Sequence, residues 1–248
     1  LRRFFVEEAA VDSREVSLRG GELRHLRVLR LREGDEVILF NGKGLELKGV
    51  IITINEVLAS VKILSTLNLR GESPLYITLL VGLPKAHKAD LIVQKATELG
   101  VNSIVFYSAS RSVPDITTSK MEKKLQRWRR IALGAVKQCG RSCVPEIIFR
   151  RSLSEALEEA ASSRVKLFFF EGGGSSLGEV LTKAGGDNTP PRSAVVLIGP
   201  EGGFTEAEGE EALNADFITI GLGPRILRTE TAALVSVALV QNCLGDFS

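Results

Sequence analysis

The stretch "IGLGPRILRTETAALVSVALV", residues 220–240, decides how the chain is read. It joins a strand-like end to an apolar helix. The joint gathers Gly221, Gly223, Pro224, Arg225, Arg228, Thr229, Glu230 and Thr231 around one apolar pair, Ile226 and Leu227. A connection that only turns the chain needs a glycine and a helix cap. Two arginines and a glutamate at the C-terminal end of a buried strand ask for a further reason. In an open parallel sheet, that end of the strands is where ligands bind.

Two more loops of this kind precede it. The strand candidates "VKLFFFE", "SAVVLIG" and "DFITIGLG" each run into glycine, giving "FEGGGSS" (170–176), "IGPEGGFTEAE" (198–208) and "GLGPRILRTETA" (221–232). In the first, Gly172 and Gly174 begin a dinucleotide fingerprint, but its third glycine falls on Leu177 and the pattern fails. No Gly-Lys-Ser/Thr triplet occurs, so a P-loop is excluded as well. In the second, Gly199, Gly202 and Gly203 allow close backbone approach, and Thr205 with Glu208 forms a capping box for a following helix. Such turns can read an adenine or a ribose through free N–H and C=O groups.

From residue 75 onward the chain alternates strand and helix. "LYITLLVGL" (75–83) reads as a buried strand, "KADLIVQKATELG" (88–100) as a helix and "NSIVFYS" (102–108) as a second strand. "KMEKKLQRWRRIALGAVKQCG" (120–140) is a long basic helix with Leu125, Trp128, Ala132 and Ala135 on one face. "PEIIF" supplies a short strand, "SLSEALEEAA" opens on the capping pair Ser152 and Glu155, and "KAGGDNTPPRS" (183–193) is a loop. Alternation with apolar strands predicts an α/β domain around a parallel sheet. Residues 1 to 70 are mostly β: Asn41-Gly42 marks a hairpin turn inside "DEVILFNGKGLELKGVIITINE", and "LASVKIL" adds a strand. "ELRHLRVLR" is a short helix with arginines on its outer face, so this part reads as a small barrel with one basic helix. "STLNLRGESP" (65–74) is the linker.

Composition narrows the function classes. A hydrophobic content of 44% in 248 residues describes an ordered globular chain. No apolar run reaches membrane-spanning length, and "LRRFFVEEAA" is too short in its apolar part for a secretion signal. Cys139, Cys143 and Cys243 form no CxxC pair, and His25 and His87 stand far apart, so neither a disulfide framework nor a metal site is expected. The net charge of +2 conceals segregation: residues 111–151 hold 11 Lys/Arg against 3 Asp/Glu, and 152–220 hold 4 against 12. With five arginines in "RGGELRHLRVLRLR" (19–32), two basic segments suggest a polyanion touched at two places, against the plainer account of solvated helix faces.

Four stretches then agree. "IGPEGGF", "LGPRILRTETA", "QKATELGV" (94–101) and "RW" with "QCGR" (127–128, 138–141) resemble the RsmE family, the small-subunit ribosomal RNA uracil-N3 methyltransferases of the SPOUT class. The likeness extends to "RHLRVLRLREGD" (24–35) and so covers both parts of the chain. It implies a SPOUT-type α/β domain over 74–248 with a deep trefoil knot, preceded by a PUA-like RNA-binding β-barrel over 1–70. It also implies S-adenosylmethionine as cofactor, a homodimer, and small-subunit rRNA, in the 30S subunit, as partner in the cytoplasm. Matched residue by residue, Gly199, Glu201 and Gly202 would line one side of the cofactor. Leu222, Gly223, Ile226, Leu227 and Ala232 would line another, with the strand ends Leu197 and Ile220 flanking it. "FFFEGGGSS" departs from the family by its extra glycine.

Methylation at uracil N3 needs that nitrogen free of its proton and of its base pair, so the target is unpaired or flipped out. A cation near O2 or O4 would stabilise the charge that develops. Arg228 is the first candidate, and Glu230 is a base or a partner that orients Arg228; the plainer account makes the two an ion pair fixing the loop. Arg24, Arg27 and Arg30, with Arg111, Arg127 and Arg141, are the expected phosphate contacts. His25 is assigned no role, and Trp128 is read as core. Ribose 2′-O-methylation and a non-catalytic ribosome-assembly role are the competing readings.

Overall fold

The computed structural model describes residues 1–9, 12–68, 71–85, 87–111, 117–171, 173–184 and 191–247. The chain divides into two compact units. Leu1–Glu72 and Val136–Val144 make the first, and Ser73–Ala135 with Pro145–Ser248 the second.

The first unit contains β1 (Arg2–Phe5), β2 (Glu15–Arg19), α1 (Gly20–Val28), β3 (Glu36–Phe40), β4 (Glu46–Ile54) and β5 (Leu58–Leu67). Its sheet has the order β1-β3-β4-β5-β2, with β1 parallel to β3 and the other pairs antiparallel. Asn41 shapes the β3–β4 turn, its Oδ1 accepting from Lys43 N at 2.9 Å and Leu45 N at 3.1 Å. β2 alternates exposed and buried residues, placing Val16 and Leu18 inside. Leu23 and Leu26 of α1 join them, while Arg24 and Arg27 stay outside. Register shifts in the β4–β5 ladder bend the sheet, and β5 runs to Leu67 because Glu46 pairs with it there. The expected linker therefore begins as strand.

Residues 136–144 belong to this unit although the sequence places them at the end of the basic helix. Val144 N donates to Gly42 O at 2.9 Å. Glu46, nearly buried, is held by Arg3 and by Ser142 Oγ, the latter at 2.6 Å. Glu72 takes Arg141 at 2.9 Å and the N–H groups of Ser142 and Cys143 at 2.7 and 2.8 Å. Buried carboxylates are tolerated when paired in this way.

The second unit contains β6 (Tyr76–Gly82), α2 (Lys88–Glu98), β7 (Ser103–Tyr107), α3 (Thr118–Cys139, its last turn in the first unit), β8 (Glu146–Arg150) and α4 (Leu153–Glu158). β9 (Val165–Phe169), α5 (Leu177–Ala184), β10 (Ser193–Ile198), α6 (Glu206–Asn214), β11 (Ile218–Ile220) and α7 (Thr229–Leu244) complete it. Its six strands are all parallel, in the order β11-β9-β10-β6-β7-β8. Ile77, Leu79, Leu80, Val105, Val195 and Leu197 are fully buried, as a sheet covered on both faces requires. α5 was not expected, and of the loop read at 183–193, residues 185–190 lie outside the described residues. The capping pairs are as read: Ser152 Oγ accepts from Glu155 N at 3.1 Å, and Thr205 with Glu208 forms a full capping box.

α7 returns from the edge strand β11 to pack on β10, β6 and α2. Its buried Gln241 locks it there, donating to Leu99 O at 2.9 Å and accepting from Ser73 Oγ at 2.8 Å. Trp128 is core: it is 2% exposed, its ring centroid lies 4.5 Å from that of Phe106, and its indole N–H donates to Asp90 at 3.1 Å. Trp128→Ala should lower the unfolding free energy by about 3–5 kcal/mol in urea denaturation. A loss below ~1 kcal/mol would mean that the ring carries little of the α3 packing.

Candidate active site

β9, β10 and β11 end level with one another: Phe169 pairs with Ile198 on one side and with Ile220 on the other. The three glycine-bearing loops therefore leave the sheet side by side, and a pocket opens between them. The loop after β9 supplies Phe170 and Glu171, beside Phe169 at the strand end. The loop after β10 supplies Gly199, Pro200, Gly203 and Phe204, and the β11–α7 joint supplies Leu222, Gly223, Arg225, Leu227, Thr229 and Ala232. The backbone N–H and C=O groups of Leu222, Gly223 and Leu227 have no hydrogen-bond partner among the described residues. Polar groups left open in a half-buried wall are what a heterocycle or ribose would satisfy.

A second pocket adjoins it. Both are lined by Glu171, Pro200, Gly203, Leu227 and Thr229, and the second adds Lys88, Glu201, Ile226 and Arg228. Of the expected cofactor residues, Gly199, Leu222, Gly223, Leu227 and Ala232 line the first pocket, while Glu201 and Ile226 line the second. Leu197 and Ile220 are buried within their strands, behind the wall. Gly202 faces elsewhere: a Cβ there would lie 2.8 Å from Arg111 Cβ, so its missing side chain admits the 108–111 segment. Likewise a Cβ on Gly82 would lie 2.6 Å from Pro200 N, which fixes the end of β6 against the second loop.

Arg228 is the N-cap residue of α7; its carbonyl accepts from Ala232 N at 2.8 Å, and its exposed guanidinium has no hydrogen bond or ion pair among the described residues. Glu230 is not its partner. Glu230 Oε2 lies 3.3 Å from Lys88 Nζ, and Lys88 Nζ lies 3.3 Å from Glu201 Oε1. The expected Arg228–Glu230 pair is thus replaced by a lysine-centred bridge, because α2 begins beside both carboxylates. Burial works to lower the Lys88 pKa, but its close contacts with the Glu201 and Glu230 carboxylates outweigh it and raise the pKa. For Glu201, burial works upward, and hydrogen bonds from the Lys85 and Glu201 N–H groups and from Lys88 bring the net shift down.

The second loop is clamped from behind. Arg111 donates to Gly202 O at 3.3 Å and Phe204 O at 3.2 Å, and Ser110 N donates to Glu208 at 2.9 Å. Glu208 also accepts from Thr205 N at 2.8 Å and Thr205 Oγ1 at 3.0 Å. Burial alone would raise its pKa; the hydrogen bonds from Thr205 and Ser110 lower it.

The arginines expected on phosphate meet different fates. The exposed guanidinium groups of Arg24 and Arg30 have no partner among the described residues, and Arg27 gives one N–H to Asn55 O at 2.8 Å. Arg127 pairs with Asp90 at 2.6 Å but keeps 57% of its side chain exposed. Arg141 is a correction: with 3% exposure and a hold on Glu72, it presents no free guanidinium face. No group of three or more metal-ligating side chains occurs among the described residues.

Comparison with known proteins agrees with this geometry. Residues 71–241 match the model of an RNA methyltransferase domain, and residues 18–64 that of an RNA methyltransferase PUA domain. The Bacillus subtilis ribosomal RNA small subunit methyltransferase E is 34% identical over 97% of this chain and 96% of its own. The chain belongs to the ribosomal RNA small subunit methyltransferase E family. The crystal structure of the Neisseria gonorrhoeae member, bound to S-adenosylmethionine, superimposes with a TM-score of 0.88 at 34% identity over 100% of both chains. The structure of a Legionella pneumophila methyltransferase in complex with S-adenosylmethionine gives a TM-score of 0.86 at 31% identity over 99% of this chain and 98% of its own. The second unit is thus the SPOUT-type α/β domain of this family, preceded by a PUA-like unit.

Several lining residues escaped the sequence. Phe169, Phe170 and Glu171 carry no local signal beside the glycines of "FEGGGSS" that sets them apart from an ordinary strand end. Lys88 carried no signal, since nothing local shows that a helix start will meet two distant loops.

The Glu208 clamp sets a pH dependence. A depressed carboxylate pKa contributes stability above the unfolded value, about 4.3, that is lost as pH falls through the folded value. The stability difference between the parent chain and Glu208→Gln should be full above about pH 5 and shrink as pH falls below about 4.3, toward the lowered folded value, as read by urea midpoints across the acid range. A difference independent of pH would show that Glu208 acts without its charge.

Proposed function

We propose that this chain transfers the methyl group of S-adenosylmethionine to N3 of an unpaired uridine in small-subunit rRNA. The observation that carries the reading is the pair of adjoining pockets, one walled by open backbone groups and the other by an unpartnered arginine. The first fits the cofactor: Leu222 and Leu227 offer apolar sides to an adenine, and their open backbone groups can read its edge. Glu171, in both walls, and Glu201, in the second, suit a cationic cofactor. When bound, the cofactor supplies an electrophilic methyl on a sulfonium.

The second pocket would take the base. Arg228 there stabilises negative charge on a uracil carbonyl oxygen as N3 gives up its proton, an interaction stronger in the transition state than before it. Its planar fork and permanent charge suit that task. Glu230, held by Lys88, serves as a positioning carboxylate.

The wider reading follows the family resemblance. Residues 1–70 form the RNA-binding part and 74–248 the transferase. Arg24, Arg27 and Arg30 meet phosphates from the first part; Arg127, with half its side chain exposed, does so from the second. The return of α7 from the edge strand toward β6 and α2 supports a chain threaded as a trefoil knot. Exposed Leu91, Val235 and Leu239 support a homodimer through α2 and α7. No helix among the described residues is long and apolar enough to cross a membrane. Action in the cytoplasm, on the 30S subunit, follows from the family resemblance.

Labelled S-adenosylmethionine and unmodified small subunits, followed by reverse transcription, test the reaction. A stop at one uridine is expected, because an N3-methyl blocks the pairing edge. Incorporation without a stop would point to ribose 2′-O-methylation, and no incorporation to a binding-only protein. Arg228→Ala should keep cofactor affinity and lower turnover by about 10²–10³-fold; lost cofactor binding with normal turnover at saturation would overturn its role. Arg24→Ala with Arg30→Ala should reduce the log–log salt slope of RNA binding by about 2, whereas an unchanged slope would remove both from the phosphate contacts.

A further inference from the structure

Lys88 controls the charge balance of the second pocket. As the first residue of α2 it reaches Glu201 in the loop after β10 and Glu230 in the first turn of α7, each at 3.3 Å. One ammonium thus ties three separate segments. The two carboxylates depend on it unequally. Glu201 also accepts from Lys85 N at 3.0 Å. Glu230 is 13% exposed, and its Oε2 is buried without a hydrogen bond of good geometry. Lys88 is its ion-pair partner.

Arg228 stands in the same pocket wall as Lys88, two residues before Glu230 in the chain. Removing one member of a desolvated pair leaves the other charge seeking a partner. A guanidinium fork is well suited to a carboxylate. Without Lys88, the cation left in that wall to compensate Glu230 is Arg228.

We propose that Lys88 is a positioning residue for methyl transfer: by holding Glu230 and Glu201, it keeps Arg228 unpaired and available to the target base. This rests on reading the second pocket as the base site. It assigns Lys88 no contact with the reacting atoms.

The test compares the parent chain with Lys88→Met, Glu230→Gln and the double variant. Cofactor affinity is measured by calorimetry and kcat and KM on small subunits. Lys88→Met should bind S-adenosylmethionine as the parent does and lose on the order of 100-fold in kcat, the scale expected for misplacing one catalytic group. The double variant should recover at least about 10-fold of that loss, because the carboxylate that captures Arg228 is gone. A lysine that merely supports the fold gives losses that add. Phenylglyoxal labelling of Arg228, read by peptide mass, gives an answer without turnover: labelling should fall in Lys88→Met and return in the double variant.

Parent-like kcat in Lys88→Met, or a double variant no better than Lys88→Met while both bind cofactor, overturns the proposal. Lys88→Gln, which neutralises neither carboxylate, repeats the test should Met disturb α2. If the parent chain transfers no methyl yet the labelling pattern holds, the reading of the base site fails while the Lys88–Arg228 coupling stands. If transfer proceeds and the labelling does not change, the coupling fails alone.

Discussion

The level ending of β9, β10 and β11 is the constraint on which the site depends. Parallel pairing fixes it: Phe169, Ile198 and Ile220 share one register, so three chain segments distant in sequence begin their loops at one height. A slip of one residue in a strand flips its side chains to the opposite face. Such a slip in β10 would expose Val195 and Leu197 to different neighbours and displace Gly199 from the pocket. The apolar burial of these strands, at roughly 1.5–3 kcal/mol for each large side chain, therefore holds the register that places the loops.

Each loop is then pinned by groups outside the pocket. Pro200 sits against the end of β6 where Gly82 lacks a side chain, Arg111 holds the carbonyls of Gly202 and Phe204, and Glu208 ties Ser110 to the helix start. Lys88 completes the set from α2. These supports leave the pocket walls with open backbone groups, and that is the useful outcome. A loop whose hydrogen bonds were all satisfied internally would have nothing to offer a ligand.

The sequence made the alternation of strand and helix legible because buried parallel strands and amphipathic helices differ in period. It also showed the three loops, since glycine and the Thr205–Glu208 box are local signals. Pairings between distant segments were not legible. Glu230 looked like a partner for Arg228 because only two residues separate them, yet Lys88, more than a hundred residues away, takes the carboxylate. Gly202 was placed at the cofactor by its match to the family motif "IGPEGGF", and its bare side admits Arg111. The short α5 escaped because eight residues give too little periodicity to stand out beside a glycine-rich loop.

The same distinction governs the basic segment at 111–151. Its charge, counted along the chain, overstates what a polyanion would meet. Arg111 is engaged with loop carbonyls, Lys137 with Glu22, Arg141 with Glu72 and Arg150 with Glu159. Lys120, Lys123, Lys124 and Arg130 remain without ion pairs among the described residues, and with the half-exposed Arg127 they recur at helical spacing along α3. Available charge is thus narrower than sequence charge, and much of it lies along one side of α3, with exposed Arg129 and Arg151 outside that row. Counterion release counts phosphates neutralised by free cations, so a paired arginine contributes far less to it than an open one. For this chain, the structure moves the polyanion argument from the charge of a whole segment to the cations left open in it.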